Sequence, residues 1–428
     1  MNENIAKSIY HAGIRLRNPS LNEQYDFLKE TEWWSLEKLR ALQAKKAEKF
    51  FRFVSENSKF YNNILKSSGF NFSGDFCSTE LRKLPELNKS ILVSNKDAIQ
   101  IFFNEEKMRL AETSGTSGEG LEFFRNERWD SLNRATMMRS YDWYGVKVWQ
   151  RNGYLWGFNI KPRQATKIRA LDYMQNRFRL FNYSENDIVD FCKKLKQAEF
   201  ISGYSSMVFE VAKRINELGL GPVPLKMVKG TSEMILDSYQ KESFKAFGSK
   251  IVSEYGAAES GIIAFECPVG GLHINIENLI VETNDSSEIL VTNLASRSFP
   301  IIRYNLGDVV ELDSATCSCG RSHPLIKNIV GRRGSKVLGL EREYPALTFY
   351  YVFKNLALEE SVLLNYKAVQ KEKGKVEIFI EGSYEKNICD LVCQQLRRYF
   401  ADDISFELNF VKQFEIKQQK RQYFESQI

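Results

Sequence analysis

No window of 18 apolar residues occurs anywhere in the 428-residue chain, which excludes a membrane-spanning helix on sequence grounds. Residues 1–10 carry a single lysine and no long apolar stretch, so a signal-peptide layout is also missing and a cytoplasmic location is expected. Runs of five or six like charges are absent too. With 60 basic against 54 acidic residues the net charge is only +6, and the electrostatic footprint of a nucleic-acid binder is lacking. The seven cysteines, at positions 77, 192, 267, 317, 319, 389 and 393, are odd in number and too sparse for a disulfide-stapled secreted fold. Internal repeats and low-complexity segments are missing as well.

What remains is an ordinary soluble composition, 43% hydrophobic and 27% charged, long enough for more than one domain. Residues 1–105 read as helical. Ser35-Leu36-Glu37-Lys38 is a capped start, followed by Leu39, Leu42, Phe50, Phe51 and Val54 at near-helical intervals. From about residue 110 short apolar strands (154–158, 200–202, 226–228 and 250–253) alternate with helical stretches (207–218 and 237–247), which argues for α/β layers. A β-rich stretch follows, with strands at 272–276, 278–282, 288–292 and 308–312. After Gly331 the pattern becomes strand, helix, two strands, helix, strand, a small α+β unit. The expected organisation is a large N-terminal domain over 1–332 and a small C-terminal domain over 333–428.

Chemistry is suggested by four segments in a fixed order. Thr113-Ser114-Gly115-Thr116-Ser117-Gly118-Glu119-Gly120 joins three glycines to four hydroxyls. Such a loop lets backbone N–H groups approach an anion, although it lacks the P-loop Gly-Lys-[Ser/Thr] and would alone read as a linker. Roughly 140 residues later come Ser253-Glu254-Tyr255-Gly256-Ala257-Ala258-Glu259-Ser260-Gly261, then Arg303-Tyr304-Asn305-Leu306-Gly307-Asp308, then Gly331-Arg332. In isolation Glu259 reads as a surface acid and Asp308 as a turn residue. A Cys267-x5-His273 and Cys317-x-Cys319 set offers thiolates and imidazole with no carboxylate, the donor chemistry of a closed zinc site, against a bland reading as reduced cysteines. His11 and His323 have no visible partner and are expected at the surface. The aromatic group Trp143, Tyr144, Trp149, Tyr154, Trp156 and Phe158 reads first as core and second as a pocket wall.

Taken together, these segments resemble the adenylate-forming ligase superfamily, within it the group of phenylacetate-CoA ligases and capsule-biosynthesis ligases. The resemblance spans nearly the whole chain, including Leu84-Pro85-Glu86-Leu87, Gly203-Tyr204-Ser205-Ser206 and Gly230-Thr231-Ser232-Glu233. It implies a two-domain enzyme whose small C-terminal domain is mobile, and which activates a carboxylic acid with ATP and Mg2+ as acyl-AMP and then transfers the acyl group. CoA is the first-choice acceptor and an amine or hydroxyl in surface polysaccharide assembly the alternative. A non-catalytic nucleotide-binding homologue is the rival reading.

Residue by residue, the resemblance assigns Thr113, Ser114, Gly115, Thr116, Ser117 and Gly118 to the ATP phosphates and Glu254, Tyr255, Gly256, Asp308 and Arg332 to the nucleotide. Glu259 is assigned to Mg2+, and Tyr204, Ser205, Gly230 and Ala257 to the acid pocket. Members of the group also carry a structural Zn2+ clip matching Cys267, His273, Cys317 and Cys319. The adenylation lysine matches Lys420, with Lys417 the alternative, and the pivot falls at Gly334 or Ser335. Arg303 either pairs with a carboxylate or anchors the Asp308 segment.

Overall fold

The computed structural model describes residues 1–71, 78–113, 120–155, 162–180, 185–233, 235, 237–313, 315–332, 336–360, 362, 364, 366–412 and 424–428. The chain divides into two compact units, one formed by Met1–Thr113 with Glu122–Val330, the other centred on Gly331–Ile428. No helix among the described residues is long and apolar enough to cross a membrane.

In the first unit, helices Glu3–Arg17, Leu21–Thr31, Leu36–Asn57 and Lys59–Ser67 open the chain. Ser35 caps the third of these by accepting from the Lys38 amide at 3.4 Å, and Leu39, Phe50, Phe51 and Val54 along it are buried. A hairpin of β1 (Met108–Glu112) and β2 (Glu122–Asn126) leads into helix Glu127–Asp142.

The centre is an 11-stranded mixed sheet. Its strands are β3 (Asn152–Leu155), β4 (Arg177–Arg179), β5 (Phe200–Tyr204), β6 (Met227–Thr231), β7 (Ile251–Ala257), β8 (Gly261–Glu266), β9 (Leu272–Ile274), β10 (Leu279–Thr283), β11 (Glu288–Asn293), β12 (Ile301–Asp313) and β13 (Leu325–Arg332), in the spatial order β10-β11-β12-β13-β9-β8-β7-β6-β5-β3-β4. Strands β4, β3, β5, β6 and β7 run parallel. From β7 to β8 the sheet turns antiparallel.

The parallel strands are covered on both faces, which is why β5 and β6 are buried along nearly their whole length. On one face Val208, Val211, Ile215 and Phe247, from helices Ser205–Glu217 and Asp237–Phe247, pack on Ile201, Val228 and Ile251. On the other, Tyr141 and Trp143 pack on Phe200, Met227, Val252 and Phe265. Trp143 and Tyr144 are therefore packing residues here, while Trp156 and Phe158 lie outside the described residues.

The sequence reading of a separate strand at 308–312 needs correction. Residues 301–313 form one long strand, because the segment before Asp308 pairs with β11 through register shifts and also with Leu87, whose amide donates to the Arg303 carbonyl at 3.0 Å.

The second unit holds a hairpin of β14 (Lys336–Leu338) and β15 (Glu343–Pro345), and a four-stranded sheet of β16 (Tyr366–Glu372), β17 (Lys375–Glu381), β18 (Ser405–Val411) and β19 (Phe424–Ser426), ordered β18-β17-β16-β19. Val392, Leu396 and Phe400, spaced four apart on helix Lys386–Phe400, pack with Phe349 and Val352 against Ala368, Ile378 and Ile380.

Candidate nucleotide and metal sites

At the carboxyl ends of the parallel strands, the usual place for ligands in an open α/β sheet, β7 delivers the Tyr255-Gly256-Ala257 run and then reverses tightly into β8. Gly256 is required there, since a Cβ would lie 2.3 Å from the Gly261 carbonyl oxygen. The intervening turn presents Glu259, which is 6% exposed, so the surface-acid reading is wrong. Three side chains hold that turn. Arg125 donates to the Ala258 carbonyl, Asn293 to the Ser260 carbonyl at 2.9 Å, and the Ile262 amide donates to Asn133 Oδ1 at 3.0 Å. Arg125 itself lies over the Trp129 ring at 5.3 Å.

Strand β12 runs beside this turn and cross-links to it twice. The Tyr304 hydroxyl donates to Glu259 Oε1 at 2.5 Å, and the Tyr255 hydroxyl donates to Asp308 Oδ2 at 2.8 Å. Two segments about fifty residues apart in sequence are thus joined by reciprocal bonds, 255 to 308 and 259 to 304. Asp308 lies within β12 and not in a free turn. Arg303 does both things the sequence offered, pairing with a carboxylate and anchoring this strand: its guanidinium lies 3.4 Å from Glu282 and donates to the Leu84 carbonyl, while its amide donates to Thr292 Oγ1.

Elsewhere around the same strand ends, Tyr204 closes β5 and Ser205 begins the next helix, buried and donating to the Glu233 carbonyl at 3.1 Å. Ser205 packs over Gly230 of β6, and Ala257 is the last residue of β7. The Glu254 carboxylate is committed to Lys229, whose ammonium donates to Oε1 at 2.7 Å. Burial opposes the charge on Lys229, but Glu254 outweighs it and holds the ammonium above the usual lysine range. Thr113 directly follows β1, and Arg332 ends β13. Ser114, Gly115, Thr116, Ser117, Gly118, Gly334, Ser335, Lys417 and Lys420 lie outside the described residues.

Sequence reasoning missed Lys229, Arg125, Asn133 and Asn293. Tyr304 was within a quoted motif, but nothing in its spacing pointed to Glu259. The others are reached only through tertiary folding.

Cys267, His273, Cys317 and Cys319 converge, their ligand atoms all within 4.8 Å of one another. The Cys267 and Cys317 sulfurs are 3.6 Å apart, and Cys319 Sγ is 3.2 Å from His273 Nε2. Zn–S bonds of about 2.3 Å at tetrahedral angles set sulfurs about 3.8 Å apart, so the donor set fits zinc. Gly271 permits the closure, since a Cβ would lie 2.7 Å from Cys317 Sγ. Burial pushes the Cys267 thiol up to about 12 and the His273 imidazole down to about 4, leaving the ring neutral for ligation.

Behind this cluster lies a buried polar network that corrects the expectation for His323. It is fully buried, not superficial, with Nε2 2.9 Å from Glu277 Oε1. Arg139 bonds both Glu277 and Asn275, and Thr31 donates to Glu277 at 3.1 Å. Burial alone would raise the Glu277 carboxyl, but Arg139 and His323 outweigh it and hold it well below the carboxylate range. His11 is half-buried against Tyr10 and Trp149.

No known protein-family profile matches the chain. Protein CapK of Staphylococcus aureus is 24% identical over 387 residues, spanning 86% of this chain and 85% of CapK. Phenylacetate-coenzyme A ligase of Thermus thermophilus is 24% identical over 333 residues, spanning 71% of this chain and 72% of that enzyme. Among solved structures, 2-hydroxyisobutyryl-CoA ligase in complex with 2-HIB-AMP and CoA superposes with a TM-score of 0.64 at 15% identity, covering 93% of this chain and 91% of that one. The same ligase in its postadenylation state gives 0.59 at 14% identity, covering 92% and 90%. The chain thus shares the fold of these acyl-CoA ligase structures, and in sequence it is similar to CapK and phenylacetate-coenzyme A ligase over most of their length, both resemblances pointing to the adenylate-forming ligase superfamily.

Proposed function

We propose that the chain joins a carboxylic acid to ATP as an acyl-adenylate and then passes the acyl group to coenzyme A. In the first step a carboxylate oxygen bonds to the α-phosphorus as the bond to pyrophosphate breaks. In the second the acceptor thiol, losing its proton, bonds to the acyl carbon as AMP leaves. The observation that carries this reading is the reciprocal pairing of Tyr255 with Asp308 and Glu259 with Tyr304, which fixes two polar motifs at one end of the sheet.

Within it, Asp308 accepts from the ribose hydroxyls, Tyr255 lies at adenine, and Glu254, Gly256 and Arg332 complete the nucleotide pocket. Residues 113–118, Thr116 among them, donate to the phosphates. Glu259, a hard oxygen donor held by Tyr304, would carry Mg2+, which supplies neutralisation of phosphate charge. Tyr204, Ser205, Gly230 and Ala257 border the acid. Lys420 pairs with the carboxylate and α-phosphate during adenylation, and the unit from Gly331 onward turns about residues 333–335 between the two steps. Zinc held by Cys267, His273, Cys317 and Cys319 is structural. The reaction is read as cytoplasmic because it consumes ATP.

Transfer to an amine or hydroxyl is the second reading, kept because the similarity to CapK, whose name carries no CoA, spans more of the chain than that to phenylacetate-coenzyme A ligase. Pyrophosphate release with ATP, Mg2+ and a panel of acids tests the shared first step. Thiol consumption on adding CoA, compared with acylation of amines or sugars, separates the acceptors.

A further inference from the structure

On the face of the sheet that meets helix Glu127–Asp142, the parallel strands change character from one row to the next. Phe200 and Met227 are register partners and join Tyr141, Val252 and Phe265 in an apolar layer. Two residues further toward the carboxyl ends the row reads Arg179, Tyr154, Ser202, Lys229, each the register partner of the next. Beyond it on the same face stands Glu254, the partner of Thr231.

Toward β7 this polar row is largely shielded from water. Ser202 is 4% exposed, and the Lys229 and Glu254 side chains are 8% and 11% exposed. Its charges are matched within the protein: Lys229 bonds Glu254 Oε1, while Arg177 and Arg179 both bond Asp172 and lie over the Tyr154 ring at 4.4 and 4.7 Å. Among the described residues one acceptor of this row stays unmatched. Glu254 Oε2 is buried and has no hydrogen-bond partner. Glu254 belongs to the same motif as Tyr255, on the strand that leads into the turn carrying Glu259.

We infer that this polar row receives the non-carboxylate end of the acid substrate, and that Glu254 Oε2 selects an acid bearing a neutral hydrogen-bond donor, a hydroxyl or an amide N–H. The inference rests on the acyl-adenylate reading above. A buried acceptor without a partner is costly, and a ligand donor removes that cost. An alkyl or aryl acid would leave the oxygen unpaired, and sites built to pair a polar group reject analogues lacking it far more strongly than hydrophobic pockets reject small changes. An ammonium fits poorly as well. Lys229 already neutralises Glu254, so a second cation would stand against a like charge.

The test is pyrophosphate release with ATP and Mg2+ for size-matched acids: lactate with propionate and alanine, 3-hydroxybutyrate with butyrate and 3-aminobutyrate, and 4-hydroxyphenylacetate with phenylacetate. The expected result is that, within the set whose size is accepted, the hydroxy acid exceeds both counterparts in kcat/KM by about tenfold or more. Glu254→Leu alone leaves the Lys229 charge buried and unpaired, so the double variant Lys229→Met/Glu254→Leu, which removes both charges, is measured beside it. A double variant that melts like the wild type should lose the preference for the hydroxy acid, read as the ratio of kcat/KM for hydroxy over deoxy acid at saturating ATP, whatever its affinity for ATP. Equal use of hydroxy and deoxy acids, preference for the amino acid, or a preference that survives in a folded double variant overturns the inference but leaves acyl-adenylation standing. Pyrophosphate release with no acid at all defeats both.

Discussion

The Tyr304 hydroxyl donates to Glu259 Oε1 at 2.5 Å, joining the turn after β7 to the middle of β12. The bond fixes one carboxylate oxygen of a buried acid. Because Gln is nearly isosteric but a poorer ligand for a hard cation, Glu259→Gln should keep the melting temperature and lower pyrophosphate formation by about a hundredfold or more. Tyr304→Phe loses the positioning bond alone and should cost about tenfold. Wild-type rates in Glu259→Gln would remove the Mg2+ assignment.

In the proposed ribose role Asp308 would contribute to nucleotide binding before and during reaction, so Asp308→Ala should raise KM for ATP by about tenfold with a smaller effect on kcat. Tyr255→Phe deletes the hydroxyl that donates to Asp308 and should shift ATP binding the same way by less. An unchanged ATP affinity in Asp308→Ala, read by isothermal titration, would count against the ribose role.

Purified protein should contain about one equivalent of zinc by elemental analysis. Cys317→Ser or Cys319→Ser should lower both metal content and melting temperature, because ligands gathered from residues fifty apart hold metal only in the folded state. A metal-free preparation of full stability would refute the clip.

Glu277 and Arg139 are both fully buried and paired, so Glu277→Gln should destabilise the protein by about 3–5 kcal/mol at neutral pH. The folded-state pKa of Glu277 is depressed, so its contribution is complete above the unfolded value of about 4.3 and is lost as pH falls through the folded value. The gap between wild type and Glu277→Gln in urea unfolding should therefore narrow below about pH 4. A constant gap would contradict the pairing.

Much of this architecture was legible because it depends on local periodicity. Ser35 before a helical stripe, alternation through residues 200–253, and the two-helix, β-rich tail are short-range signals, and they match helix Leu36–Asn57, strands β5 to β7 and the second unit's sheet. The candidate site was legible as motifs, but not as geometry. Tyr304 next to Glu259, Lys229 next to Glu254 and His323 next to Glu277 are pairs brought together by strand order, which no local pattern encodes. His323 was misjudged for that reason: a histidine's burial is set by what packs on it, here Arg139 from a helix 184 residues earlier.

Acid-dependent exchange of labelled pyrophosphate into ATP tests the central claim most directly, since it reports reversible acyl-adenylate formation without reference to the acceptor. With Mg2+ and the accepted acid the wild type should exchange label, and omission of the acid or Glu259→Gln should abolish it. Failure to exchange with any acid, in protein that is folded and binds ATP, would contradict acyl-adenylation and leave a nucleotide-binding protein without this chemistry.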